Sequence, residues 1–269
     1  PPPRARAAAD EAAVEGWPPP LREEVEVNAL VPWTAAAEEA AQAASAAVKA
    51  GYRCLKVKVV GPNAVAGLRG PNAVAGLRGS TAQALVAAVR EAAGPHVALR
   101  VDANGAWDVE RAEAEITRLS PYGLEYVEQP VPTLEELADL RRRVTVPVAA
   151  DECVRTVEDA RRLARLGAAD VLVVKVQPLG GVRAALRVAE AAGGVPVVVT
   201  SMLETSVGLA AGLALAAALP ELDLACGLGT ASLLAADVVA DPLAPEDGRL
   251  AVRRPTPDAG LLDRYRVRA

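Results

Sequence analysis

The chain lacks phenylalanine and has a single histidine, His96, among its 269 residues. Without phenylalanine the core must be aliphatic, and alanine, valine and leucine dominate the composition. One histidine excludes a histidine-rich metal site, and any Ser-His-Asp triad would have to use His96. Because His96 precedes an expected strand, we predict that it is an ordinary loop residue.

Lysine is also scarce. Lys and Arg total 29, yet the lysines are only Lys49, Lys56, Lys58 and Lys175. The net charge is −5 and the sequence pI about 5.2. No basic surface therefore favours nucleic acid or anionic lipid as a partner.

Long hydrophobic runs and paired cysteines are missing as well. The longest apolar run, Val207–Leu219, is too short to span a bilayer. The three cysteines are odd in number and widely spaced, so a disulfide framework is not expected. The first nine residues lack the apolar segment of a signal peptide. These features predict a cytoplasmic protein without a membrane partner, and they leave the oligomeric state open.

Short apolar runs and helical segments alternate along the chain. The predicted strands are Val25–Val31, Cys54–Val60, Val97–Val101, Leu124–Val127, Val146–Ala149, Val171–Val174, Val195–Val199 and Leu222–Ala225. The predicted helices are Thr34–Ala50, Thr81–Ala93, Asp108–Leu119, Thr133–Arg143, Thr156–Leu166, Val182–Ala192 and Glu204–Leu219. Continuous apolar strands are typical of a parallel sheet that is covered on both faces.

This alternation predicts an α/β fold, a (β/α)7β barrel of the TIM type. A doubly wound open sheet would show a glycine-rich turn after its first strand, but Pro32-Trp33-Thr34 stands there. Asp108 is a predicted helix N-cap, and the segment from Thr133 to Glu136 reads as a capping box. We assign residues 1–24 to a lead-in and residues 25–230 to the barrel. Residues 231–269 are assigned to a C-terminal segment that packs back on the preceding structure.

Reactive side chains stand at the ends of five successive strands, from the second to the sixth. They are Lys56, Lys58, Asp102, Glu128, Asp151 and Lys175. In a barrel these strand ends meet at one mouth. Three carboxylates without histidine or cysteine suit a hard cation, Mg²⁺ or Mn²⁺. The alternative is that each acid simply pairs with a nearby arginine.

The lysines indicate proton transfer. A desolvated lysine can lose its proton, whereas arginine cannot. We predict that Lys58 removes a proton next to a substrate carboxylate and that the metal and Lys56 hold the resulting charge. Lys175 then acts from the other face as an acid or an electrostatic partner. The alternative is a set of ordinary salt-bridged lysines.

The Lys56-x-Lys58 motif, the trio of acids and Lys175 resemble the enolase superfamily, in its muconate-lactonizing-enzyme subgroup. Within that subgroup the chain is most similar to the o-succinylbenzoate synthase family of the actinobacterial type. The stretches that support this are Arg100–Trp107, Glu125–Pro130, Val148–Glu152, Pro178–Gly181, Ser201–Gly208 and Leu224–Thr230.

The resemblance implies Mg²⁺-dependent syn dehydration of 2-succinyl-6-hydroxy-2,4-cyclohexadiene-1-carboxylate to o-succinylbenzoate through a metal-stabilised enediolate, a step of menaquinone biosynthesis. Lys58 would be the base, and Lys175 would stabilise the enediolate from the opposite face. Asn104 and Glu152 would orient the metal ligands and Lys175. The resemblance also implies contacts with the succinyl end of the substrate, from Arg100, Ser201, Met202 and Gly227.

The chain departs from this family in two places. Members carry an N-terminal α+β capping domain, whereas only about 24 residues precede the first expected strand here, so we expect the cap to be largely missing. The segment Gly61–Arg69 is repeated identically at Gly70–Arg78 and lengthens the following loop. Two alternatives stay open: an N-succinylamino acid racemase or dipeptide epimerase that uses the same lysines, and a non-catalytic metal-binding barrel.

Overall fold

The computed structural model describes residues 16–31, 36–60 and 82–266. The start of the lead-in, the expected first residues of two helices at Thr34 and Thr81, and the repeat in 61–78 lie outside these ranges. The helices, strands and contacts of this structure all belong to these ranges.

Nine strands are found in this part of the chain. They are β1 (Glu24–Glu26), β2 (Ala29–Val31), β3 (Cys54–Lys58), β4 (Ala98–Asp102), β5 (Tyr126–Glu128), β6 (Val148–Ala150), β7 (Val171–Lys175), β8 (Val197–Thr200) and β9 (Arg249–Ala251). Strands β2 to β8 form one parallel sheet in sequence order. Their carboxyl ends therefore share one edge, where the predicted site residues stand.

The sheet curls into a barrel, which confirms the predicted fold. Cys226 and Gly227 close it: Gly227 bridges Thr200 of β8, and Cys226 bridges Val27 ahead of β2. Asn28 N–H donates to Cys226 O at 2.9 Å, and Gly227 N–H donates to Val199 O at 2.9 Å. The eighth strand expected over Leu222–Ala225 is wrong in position, because the bridging residues come just after it.

The first expected strand, Val25–Val31, is divided in two. Its start, β1, pairs antiparallel with β9, so that Val25 lies opposite Leu250. Its end, β2, pairs in parallel with β3. The chain changes partners around Val27 and Asn28, a switch that the strand pattern did not predict. Among the described residues, every strand belongs to the barrel or to this β1–β9 pair, and no separate α+β cap is present.

Helices cover the outside of the barrel. They are α1 (Ala37–Lys49), α2 (Ala82–Ala93), α3 (Val109–Leu119), α4 (Leu134–Arg141), α5 (Val157–Leu166), α6 (Val176–Leu179), α7 (Val182–Ala191), α8 (Ser206–Ala218) and α9 (Ala259–Arg264). Two short 3₁₀ turns follow α3 and the barrel closure, at Ser120–Tyr122 and Thr230–Leu233. The short helices α6 and α9 were not expected from the sequence.

The helix N-terminal signals at Asp108 and Thr133 are confirmed. The Asp108 side chain accepts a hydrogen bond from Arg111 N–H at 2.8 Å and begins α3. Thr133 and Glu136 form a reciprocal capping box at the start of α4. Gly167 follows α5 with φ +56°, a left-handed conformation that glycine adopts without steric cost.

The core is aliphatic, as the lack of phenylalanine requires, with valine, leucine and alanine filling the layers between strands and helices. His96 is exposed in the turn before β4, at the end of the barrel opposite the predicted site. Within residues 16–31, 36–60 and 82–266, no helix combines the length and apolarity needed to cross a lipid bilayer.

Candidate active site

The two lysines of β3 point into the barrel mouth, because residues two apart share a face of a strand. Lys56 lies opposite Arg100 and Lys58 opposite Asp102 in the β3–β4 register. Lys58 Nζ donates to Asp102 Oδ2 at 2.5 Å and to Asn104 Oδ1 at 2.9 Å. Its side chain keeps 28% of its surface exposed, so it is open to the cavity.

Lys56 lies deeper and bridges two carboxylates. Its Nζ donates to Glu128 Oε1 at 2.9 Å and to Oε2 at 3.2 Å, and it lies 3.4 Å from Asp102 Oδ2. Burial lowers the pKa of Lys56, but the charges of Glu128 and Asp102 outweigh burial and raise it well above the ordinary lysine value. Lys56 therefore stays an ammonium that stabilises negative charge.

The three predicted ligands follow one another around the barrel. Asp102 ends β4 and lies opposite Glu128, which ends β5, and Asp151 comes directly after β6. All three are buried. Lys175 ends β7 and ion-pairs with Asp151, and it lies 4.0 Å from Glu152 Oε1. The sequence-predicted lysines and acids are thus brought together.

The carboxylates are close enough to repel one another. Burial raises the pKa of Glu128 to about 8, and the charges of Asp102 and Asp151 contribute to the rise. Burial also raises the pKa of Asp102, but the charges of Lys56 and Lys58 outweigh burial and hold it below its ordinary range. Three crowded carboxyl groups therefore share the positive charges of Lys56, Lys58 and Lys175.

These donors fit an oxygen-preferring cation in chemistry and charge. In the arrangement seen, no group of three His, Cys, Asp or Glu side chains in the described part of the chain is set to hold a metal directly. Lysine ammoniums pair with the carboxylate oxygens instead. The buried Glu152 Oε2 has no hydrogen-bond partner in the same part of the chain. These crowded carboxylates offer only oxygen ligands, and they suit Mg²⁺ once the lysine ammoniums no longer pair with them.

Asn104 connects the two sides of the mouth. Its backbone N–H donates to Asp102 Oδ1 at 3.0 Å, and its side-chain Nδ2 donates to Glu152 Oε1 at 3.1 Å. Its Oδ1 accepts from Lys58. Asn104 has φ +46°, an uncommon value for a residue other than glycine. These contacts support an orienting role for Asn104 and Glu152.

Two of the four predicted substrate contacts line the cavity, which has a volume of about 250 Å³. Ser201 Oγ donates to Gly227 O at 3.0 Å and lies 2.8 Å from Thr230 Oγ1. A Cβ at Gly227 would collide with the Thr200 hydroxyl. Gly227 therefore keeps this wall of the cavity open.

Arg100 does not line the cavity, and its predicted contact with the substrate stays a prediction. It lies one inward-facing position below Asp102 on β4 and is fully buried. Its guanidinium donates to Glu125 Oε2 at 2.5 Å and to Ala225 O at 2.6 Å. Strand alternation places a side chain on a face correctly but does not give its depth.

The predicted substrate contact of Met202 also stays a prediction. It does not line the cavity, and 46% of its surface is exposed. Its backbone oxygen accepts a hydrogen bond from Thr230 Oγ1 at 2.9 Å. Met202 thus contacts the cavity wall through its backbone oxygen, because Thr230 lines the cavity.

Several lining residues were not predicted. They are Asn28, Ala29, Leu30, Tyr52, Thr200, Gly229, Thr230, Ser232 and Leu233. Asn28 was detectable, because it interrupts an apolar run. Thr200 was detectable too, as the polar residue that ends β8. The 3₁₀ turn with Thr230 and Ser232 has no periodic signal in the sequence.

The chain is similar to known proteins over most of its length. The family model described as "Enolase C-terminal domain-like" matches residues 38–261. The chain is 54% identical over 248 residues to the o-succinylbenzoate synthase of Thermobifida fusca, covering 92% of this chain and 73% of that protein. It is 49% identical over 257 residues to the o-succinylbenzoate synthase of Mycobacterium tuberculosis, covering 95% of this chain and 72% of that protein.

A solved structure shows the same fold. Muconate cycloisomerase from Pseudomonas fluorescens superposes with a TM-score of 0.79 at 26% identity, covering 91% of this chain. The chain spans 66% of the length of that structure. The barrel, the family match and the curated relatives lead to one assignment: this chain belongs to the enolase superfamily and, within it, to the o-succinylbenzoate synthase family.

Proposed function

We propose that the chain is a Mg²⁺-dependent carbon–oxygen lyase that dehydrates 2-succinyl-6-hydroxy-2,4-cyclohexadiene-1-carboxylate to o-succinylbenzoate in menaquinone biosynthesis. The names of the curated relatives support this small-molecule substrate. One observation carries the proposal: Lys58 and Lys175, on strands β3 and β7, line one cavity, with three carboxylate-bearing strand ends between them. The cytoplasmic location stays a prediction.

Lys58 is the proposed base. Its neutral amine takes the proton from the carbon that bears the substrate carboxylate, and the C–H electron pair becomes the new ring double bond. The hydroxyl on the neighbouring carbon leaves with a proton as water. In a syn elimination both groups leave from one face, so the same Lys58 ammonium can return that proton. Its partial exposure to the cavity supports this role.

Lys56 and Lys175 are proposed to stabilise charge. Burial lowers the pKa of Lys175, but the charges of Asp151 and Glu152 outweigh it and raise the pKa. Lys175 thus stays cationic on the side of the cavity opposite Lys58. Fixed ammoniums in a buried site stabilise developing negative charge without solvent reorganisation.

Asp102, Glu128 and Asp151 would hold the cation. When bound, Mg²⁺ supplies positive charge beside the substrate carboxylate and makes the neighbouring C–H more acidic. Members of the superfamily generally use Mg²⁺. Ser201 and Gly227 are the proposed contacts of the succinyl end, since both line the same wall.

The test compares substrates on the intact chain with Mg²⁺. We expect the cyclohexadiene carboxylate to give o-succinylbenzoate, followed by ultraviolet absorbance, far faster than N-succinyl amino acids or dipeptides lose optical activity. Faster racemisation would overturn the proposal in favour of a racemase or epimerase. The absence of both reactions would favour the non-catalytic barrel.

A ligand variant tests the cation site. Glu128→Gln should weaken Mg²⁺ binding at least about tenfold by calorimetry, because it removes a buried negative ligand. Glu113→Gln is the control, because the Glu113 side chain on α3 is partly exposed and does not line the cavity. Equal Mg²⁺ affinity in both variants would contradict the assignment of Glu128.

A further inference from the structure

We propose that Gln129 is a positioning residue whose side chain fixes Asp151 beside Glu128 at the barrel mouth. The inference rests on the proposed Mg²⁺-dependent function, because it concerns two of the three proposed ligands. Neither composition nor strand periodicity singles out Gln129, and the structure gives it contacts that no other glutamine in the described residues shows.

The backbone at Gln129 is unusual. Its φ is +38°, in the left-handed region that residues other than glycine seldom adopt. This value turns the chain immediately after Glu128 and directs the Gln129 side chain toward β6. Strained residues of this kind persist only where surrounding contacts hold them.

The contacts that hold Gln129 involve both ends of its amide. Oε1 accepts from Asp151 N–H at 2.7 Å and from Cys153 N–H at 3.4 Å. Nε2 donates to Val131 O at 2.6 Å. These partners fix which end of the amide is oxygen. The whole residue is 1% exposed, so water does not substitute for the bonds.

The backbone of Gln129 joins the same strand ends. Its N–H donates to Ala149 O at 2.8 Å, and its carbonyl accepts from Gly105 N–H at 2.6 Å. One residue therefore contacts the segments that follow β4, β5 and β6. Asp102 and Glu128 are the last residues of β4 and β5, and Asp151 directly follows β6.

The β5–β6 ladder is short, which explains why a side chain is needed. Only Val127–Val148 and Glu128–Ala149 are paired between these strands. The ladder ends before Asp151, and the Gln129 amide extends it by one bond. Glutamate would keep the acceptor but lose the donor to Val131, and it would add negative charge beside three acids.

The experiment uses two variants and a control in the intact chain. Gln129→Leu removes both side-chain bonds, and Gln129→Glu keeps only the acceptor. Gln83→Leu is the control, since Gln83 is exposed on α2 with one bond of 3.4 Å to Tyr122 Oη. Amide hydrogen exchange is followed at Asp151 and at Leu172, whose N–H donates to Pro196 O in the sheet and reports global opening.

We expect Gln129→Leu to speed exchange of the Asp151 amide by about tenfold, because one net hydrogen bond is lost. Exchange of the Leu172 amide should change less. Gln129→Glu should keep the protection of Asp151. Mg²⁺ affinity by calorimetry should fall about 10- to 100-fold in Gln129→Leu and stay unchanged in Gln83→Leu.

Equal acceleration at Asp151 and Leu172 would overturn the proposal, because it would show a general loss of stability. Unchanged Mg²⁺ affinity in Gln129→Leu would also overturn it. If Gln129→Leu does not fold, the test depends on Gln129→Glu. Loss of protection of the Asp151 amide from exchange in that variant would overturn the proposal. A parent chain that binds no Mg²⁺ contradicts the proposed function, and the exchange data then decide on Gln129 alone.

Discussion

At the scale of single residues, the shape of the cavity depends on a position that carries no side chain. Gly227 stands where a Cβ would collide with the Thr200 hydroxyl and approach Asn28 Oδ1 to 3.6 Å. Gly229, two residues further along, has room for a methyl group, with its nearest neighbour at 3.7 Å. We therefore expect substitution by alanine to have different effects at the two positions.

Gly227→Ala should destabilise the chain by about 1–3 kcal/mol, because it overpacks the wall between β8 and the barrel closure. It should also raise the KM of the proposed substrate by narrowing the cavity. Gly229→Ala should change stability by no more than about 0.5 kcal/mol. Urea unfolding measures both, and equal effects would contradict the packing described here.

At the scale of elements, local signals in the sequence determine where helices begin. The Thr133 Oγ1 accepts from Glu136 N–H at 3.2 Å, and the Glu136 carboxylate accepts from Thr133 N–H at 3.1 Å. These bonds satisfy two backbone groups that the first turn of α4 leaves free. They require only the four residues involved, so they can be predicted without knowledge of the fold.

Thr133→Ala should lower the free energy of unfolding by about 1 kcal/mol, the usual cost of an N-cap. Thr117→Ala is the control, because Thr117 is exposed and bonds the Glu113 carbonyl four residues back within α3. Thermal unfolding followed by circular dichroism gives the comparison. A larger loss for Thr117→Ala would show that the capping box adds little here.

Elements without local signals were not predictable. The barrel closes through single bridges at Cys226 and Gly227, where no periodicity can develop, and the expected strand was placed just before them. The strands β3 to β8 were predicted to within about three residues, since each is a clear apolar run. The lysines and acids followed directly from these strand ends, while Gln129 needed side-chain contacts that only the fold shows.

At the scale of the whole molecule, Arg100 connects distant parts of the barrel. From β4 it reaches Ala225 O and, at 3.4 Å, Asn28 Oδ1, which are both at the closure. It also ion-pairs with Glu125, and its guanidinium lies 4.7 Å from the centre of the Tyr126 ring. Removing one partner of a buried ion pair is strongly destabilising.

Arg100→Met should therefore lower the free energy of unfolding by about 3–5 kcal/mol. Arg118→Met is the control, because Arg118 is exposed and makes one pair with Glu115, worth at most about 1 kcal/mol. Chemical denaturation at constant Mg²⁺ gives both values. A small stability change with a large rise in KM would contradict this structural role and favour the predicted substrate contact of Arg100.

The central claim is that Lys58 transfers the proton. The most direct measurement is the rate of o-succinylbenzoate formation by Lys58→Ala, with Lys49→Ala as control, since Lys49 is the exposed lysine at the end of α1. We predict that kcat falls about 10²–10⁴-fold in Lys58→Ala and stays at the parent value in Lys49→Ala, and that Lys58→Ala binds Mg²⁺ at least as tightly as the parent chain, because Lys58 is an ion-pair partner of Asp102. A Lys58→Ala variant that turns over at the rate of the parent chain would contradict the account.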